Sequence, residues 1–81
     1  MSNEAKLKRA FCKGLDVDRD SLDWEGLQYR GIPEWDSLAH MEMVAEVEEA
    51  FDLAVEADDI MAMSSFPAAK QVLAKYGIDF E

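Results

Sequence analysis

One cysteine, two prolines, four glycines and no apolar run long enough to span a membrane set the first limits on this chain of 81 residues. A single thiol, Cys12, rules out an internal disulfide and any zinc site built from several thiolates. So little glycine and proline is a poor fit to a fibrous or disordered chain. The polar start and the lack of a long hydrophobic segment leave no signal-peptide or transmembrane signature, so the expected setting is the cytoplasm, with no stable membrane insertion. Positive charge is also scarce. Eight Lys and Arg stand against eighteen Asp and Glu, a formal net charge of -10. Nucleic acid and anionic membranes would be repelled, and the natural complement is a protein surface with basic patches. The balance is uneven: Lys6, Lys8, Arg9 and Lys13 supply half of the bases within the first thirteen residues. An acidic body with one basic helix is expected, although acidity also simply keeps small proteins soluble.

The size suits one domain over residues 1–81, with one modest core and little room for an enclosed enzyme pocket. Residues 3–13 have the composition and the apolar stripe (Leu7, Ala10, Phe11) of a first helix, with Ser2 or Asn3 as its cap and Gly14 as its stop. A long connection follows over 14–36. Its load of Leu15, Val17, Leu22, Trp24, Leu27, Tyr29, Ile32 and Trp35 is too apolar for a solvated linker, so it is expected to fold back on the bundle, with a helical turn near 20–27. Residues 37–51 form the second helix behind Asp36 as N-cap, with Met43, Val44, Val47, Ala50 and Phe51 toward the core. A short third helix at 57–62 is expected to turn Ile60 and Met61 inward. Ser64 or Ser65 caps a fourth from about 66 to 76, where Pro67 falls in the first turn, Phe66, Ala69, Val72, Leu73 and Tyr76 face the core, and Gly77 ends it. No strand-like alternation competes with this pattern. The fold class is all-α: a small four-helix bundle of three longer helices and one short one, with a long ordered loop between the first two.

The second helix carries the most informative local feature. Asp36 and Ser37 stand directly before it, which places one hydroxyl at the helix end where N–H groups are free and the dipole is positive. A phosphate ester there would sit in a favourable field. Asp36 can cap the helix. His40, the lone histidine, lies three residues on, where the helix turns it toward the core, so a Ser-His hydrolytic pair has weak support. The Gly-x-Ser-x-Gly elbow is absent. Opposite the core face, Leu38, Met41 and Ala45 make a narrower apolar stripe flanked by Glu42, Glu46, Glu48 and Glu49. Such a stripe either serves as a docking surface or packs beneath the preceding loop.

Asp36-Ser37-Leu38 at a helix start, the spaced Met41, Val44, Val47 and Phe51, the paired acids Glu48-Glu49 and the acidic stretch Val55 to Ile60 resemble the acyl carrier and peptidyl carrier proteins. The likeness covers roughly residues 4–77. It implies that Ser37 bears a 4'-phosphopantetheine arm, moved from coenzyme A by a phosphopantetheinyl transferase, with Asp36 beside it. The chain would then be no enzyme. It would hold acyl or aminoacyl groups as thioesters for a loading enzyme and a downstream synthase or transferase. Leu38, Met41, Glu42, Ala45, Glu48 and Glu49 would dock those partners. Trp35 before the Asp-Ser pair, in place of the glycine-containing lead common in fatty-acid carriers, is more similar to freestanding carriers of polyketide, nonribosomal peptide or D-alanyl pathways. An acidic adaptor that binds a basic partner without modification is the alternative of a different class.

The remaining residues have plainer readings. Asp16, Asp18 and Asp20 resemble the opening of a calcium loop, but the sixth position is Ser21 and the twelfth is Leu27, so no metal site is expected. Cys12 reads as a packed thiol. Trp24 and Trp35 read as loop anchors. Met41, Met43, Met61 and Met63 suit either an adaptable groove or ordinary filling of a core.

Overall fold

The computed structural model describes residues 2–80; Met1 and Glu81, the ends of the expected domain, lie outside the described residues. Four helices follow in order: α1 (Asn3–Leu15), α2 (Ser37–Phe51), α3 (Ala57–Ala62) and α4 (Phe66–Lys75). The all-α bundle with one short helix and a long first loop is the architecture expected from the chain. Serine and aspartate caps start three of the helices. Ser2 accepts from the Ala5 N–H, Asp36 from Ala39 and Ser65 from Ala68, each satisfying a first-turn donor that has no partner within the helix.

Gly14 does not stop α1. The helix continues to Leu15, and Asp16 closes it in the left-handed conformation at φ 57. Gly14 is instead a point of backbone approach: a Cβ built on it would lie 2.1 Å from the Met43 Cα. α1 and α2 can pack this closely only because that side chain is missing. Asp52 ends α2 in the same way as Asp16 ends α1, at φ 52, whereas Gly77 follows α4 at φ 92.

Phe11 of α1 centres the core. Its ring meets Trp35 at 5.5 Å, Phe66 of α4 at 5.3 Å and Trp24 at 6.2 Å in edge-to-face geometry. Two of these partners belong to the long loop, so the aromatic residues of 16–36 are what fold it onto the bundle. The only regular helical piece described there is a 3-10 turn at Arg19–Ser21, one residue earlier and shorter than the turn expected near 20–27. Asp18 caps this turn and Asp16 caps α1, so two of the three aspartates in the run Asp16, Asp18 and Asp20 serve the backbone. No cluster suited to a metal ion is present among the described residues. Farther on, the Tyr29 N–H donates to the Ser64 carbonyl at 2.7 Å and the Phe66 N–H to the Leu27 carbonyl at 3.2 Å, tying the loop to the entry of α4.

α3 is attached differently. None of its residues is buried. Met61, expected inward, is 75% exposed, and Met63 just beyond the helix is fully buried in its place. Ile60 and Met63 are three residues apart on one side of this short turn, and Met61 is rotated about 100° away from that side. Side chains at the end of α4 and just beyond it hold α3: Lys75 Nζ donates to Asp59 Oδ1 and Tyr76 Oη to Asp59 Oδ2, both at 2.7 Å, while the Glu56 N–H donates to Tyr76 Oη at 3.0 Å. The Lys75 hydrogen bond, with that of Tyr76 second, holds the Asp59 carboxyl below its usual value of 3.8. A carboxylate whose folded value is depressed stabilises fully above the unfolded value and loses that contribution as pH falls through the folded one. Acid titration followed by the ring signals of Tyr76 and the methyls of Ile60 is therefore expected to inflect below pH 3.8, and Asp59→Asn to erase the inflection. An inflection at or above the usual value would remove the tether from the description of α3.

Candidate functional site around Ser37

Ser37 is the first residue of α2 and is exposed. Asp36 before it is also exposed. Its carboxylate accepts from the Ala39 N–H at 2.9 Å and its carbonyl from the His40 N–H at 2.9 Å. Two first-turn donors are thereby satisfied, while the N–H groups of Ser37 and Leu38 have no hydrogen-bond partner among the described residues. A hydroxyl in the open, at a positive helix end with free donors, suits an attached phosphodiester both sterically and electrostatically.

The turn is anchored from beneath by packed rings. Trp35 immediately precedes Asp36 and is completely buried. Its Nε1–H donates to His40 Nδ1 at 2.9 Å, and the two rings stack with centroids 5.9 Å apart and planes at 16°. Tyr29 stands edge-on to both, at 6.4 Å and 5.5 Å. The Arg30 N–H closes on the Trp35 carbonyl at 3.1 Å, and Arg30 sits at φ 64 to make this turn, its guanidinium over the Tyr29 ring at 5.3 Å. His40 Nε2 lies 2.8 Å from the Ile60 carbonyl of α3. The histidine thus faces the core as expected from its place on the helix. It offers no base to Ser37, because both ring nitrogens are engaged elsewhere.

Leu38 and Met41 are 71% and 52% exposed, and with Met61 they are the large apolar side chains left in the open among the described residues. They do not pack beneath the loop. Ala45, Glu42 and Glu49 are exposed on the same side of α2. Glu48 differs: it is half-buried, and its Oε2 accepts from the Val55 N–H at 2.8 Å, bracing the turn after α2. Cys12 is half-buried, and burial pushes its thiol pKa up, with Arg19 opposing and Asp18 and Asp20 reinforcing the rise. A cleft of about 280 Å³ lies between α1 and α2, lined by Lys6, Arg9 and Lys13 against Glu46 and Glu49. Lys13 and Glu46 pair there at 3.4 Å. It is about two and a half to three and a half turns along α2 from Ser37 and forms no part of that site.

Sequence reasoning missed the Trp35–His40 pair. A usable signal was present. Trp35 precedes the capping residue and His40 is the fourth residue of the helix, the two positions that commonly pack together across a helix start.

No family model matches the chain, and neither the curated proteins nor the solved structures searched contain a match to it. The fold on its own is a small helical bundle of a kind compatible with carrier or adaptor domains. No helix among the described residues is long and apolar enough to cross a membrane.

Proposed function

We propose that the chain is a carrier protein that receives 4'-phosphopantetheine on Ser37 and presents the attached group to partner enzymes. The observation that carries this reading is an exposed serine at the positive end of α2, set between the buried Trp35 and the Asp36 cap on one side and the helix on the other. In the modification, Ser37 Oγ bonds to the β-phosphorus of coenzyme A. The pyrophosphate linkage breaks, 3',5'-adenosine bisphosphate leaves, and the serine proton goes to a base of the transferase. Once attached, the arm would supply a terminal thiol on which acyl or aminoacyl groups are held as thioesters. The protein residues serve attachment, orientation and docking. The tether keeps its cargo at high effective concentration for a docked partner. Leu38, Met41 and Ala45 supply apolar contact, and Glu42 and Glu49 favour basic partner rims. Those partners would be the transferase, a loading enzyme and a downstream synthase or transferase. Trp35 ahead of the Asp-Ser pair favours a specialised polyketide, nonribosomal peptide or aminoacyl (D-alanyl) pathway over housekeeping fatty acid synthesis.

Intact mass after incubation with a broad-specificity phosphopantetheinyl transferase and coenzyme A tests the reading. The native chain is expected to gain one phosphopantetheine, and Ser37→Ala none while remaining folded. An exposed serine at the first helical position has no buried contact to lose, so Ser37→Ala is expected to change stability by less than about 0.5 kcal/mol. A folded, initially unmodified native chain that gains no mass would sink the carrier reading and leave an acidic adaptor binding a basic partner without modification.

A further inference from the structure

His40 holds two partners that each admit one role. The Trp35 indole N–H can only donate, so Nδ1 must accept and carry no proton; the Ile60 carbonyl can only accept, so Nε2 must carry the proton and donate. The ring is thereby fixed as the neutral Nε2–H tautomer and bridges two places at once. One end holds the residue that sets the Ser37 turn. The other holds a helix that buries none of its own residues. Met41 follows His40 in the chain and Met61 follows Ile60, so the bridge joins α2 to α3 beside the exposed apolar side chains of both.

We propose that His40 is a positioning residue that docks α3 onto the first turn of α2 through the Ile60 carbonyl, so that Leu38 and Met41 from one helix and Met61 from the other meet a partner as a single surface. Its partner is the basic, partly apolar face of the enzyme that modifies Ser37, a choice that rests on the carrier reading and on the acids around the patch, Glu42, Glu49 and Asp58. The Asp59 tether pulls α3 toward α4, and His40 supplies the pull toward α2. Loss of the His40 bond alone would leave α3 attached to the bundle but free to shift relative to Ser37.

Two shortened side chains separate this role from a merely structural one. In His40→Asn the amide oxygen can replace Nδ1 as acceptor for Trp35, but the side chain is too short to reach Ile60. In His40→Gln the terminal amide can reach Ile60 as Nε2 does. Backbone amide exchange, measured on the full chain at one fixed pH, is expected to speed up in α3 by about tenfold in His40→Asn, the loss of one net hydrogen bond. His40→Gln is expected to restore most of the protection. The KM of the phosphopantetheinyl transferase for the protein is expected to rise several-fold in His40→Asn at unchanged kcat, and to recover in His40→Gln. Equal α3 exchange in the two variants, or equal KM values, would overturn the proposal. If the native chain is not modified at all, the carrier reading fails and the exchange comparison alone decides whether His40 docks α3. If His40→Asn does not fold, the imidazole nitrogen shifts of the native chain decide: a protonated Nε2 with a bare Nδ1 is expected, and the opposite or a mixed tautomer would overturn the bridge.

Discussion

Gly14→Ala is expected to destabilise the protein by about 3 kcal/mol, the upper part of the range for overpacking. The sign is opposite to that of most helical Gly→Ala changes, which gain about 1 kcal/mol from helix propensity. The added methyl would sit 2.1 Å from the Met43 Cα, 2.6 Å from its nitrogen and 2.8 Å from its Cβ. Carbon atoms rest at roughly 3.5–4.0 Å, and two of these three atoms are backbone, so no rotamer change relieves the overlap. α1 and α2 must move apart, and Leu7, Phe11, Met43 and Val47, all fully buried, would lose contact together. Urea unfolding would register this as a lower midpoint with little change in slope. A small domain with roughly 5–10 kcal/mol in total retains a folded population after such a loss. A midpoint at or above that of the native chain would show that the two helices do not meet so closely.

Trp35→Ala is expected to cost at least as much, about 3–5 kcal/mol for removal of a buried aromatic side chain. Three effects coincide. A cavity opens beside Phe11, the edge-to-face contact at 5.5 Å disappears, and His40 Nδ1 loses the Trp35 donor. Trp35→Phe separates them: it refills most of the space but leaves Nδ1 buried without a partner, a penalty of about 1–3 kcal/mol. Thermal unfolding of both variants, alongside His40→Ala as the second arm of a double-mutant cycle, gives the coupling of the pair. A coupling near zero would reduce Trp35 to simple bulk. Because Asp36 and Ser37 follow Trp35 directly, Trp35→Ala is also expected to lower the rate of the proposed modification at Ser37 at temperatures where the variant is still folded.

Much of this is visible in the amino-acid sequence. Asp36 as cap and the bounds of α2 follow from an aspartate ahead of a 3.6-residue apolar period. The aromatic residues of the long loop gave away its return to the core, since so many apolar side chains cannot stay in water. Two misreadings have a common origin. A glycine after an apolar stripe looks like a helix stop, and only the neighbouring helix reveals Gly14 as a crossing point. In α3 the period is too short to define a face: six residues allow either Met61 or Met63 inward, and Met63 is chosen by the bundle it must enter. The candidate site was half legible. Ser37 and its cap lie side by side in the chain, and Leu38 and Met41 emerge on the exposed face that their spacing implies. Glu48, one of the acids of that stripe, instead spends its carboxylate on the Val55 N–H, a bond that helical spacing does not encode.

The two longest helices, α1 and α2, end on an aspartate held at positive φ, Asp16 and Asp52. A side chain in that conformation costs on the order of 1 kcal/mol against glycine, and a negative charge at the carbonyl end of a helix opposes its dipole. The protein therefore carries part of its acidity where that acidity works against the fold. For anyone engineering a sturdier scaffold from this chain, these are two helix-end positions at which glycine would raise stability, and the trade is two negative charges from its acidic surface.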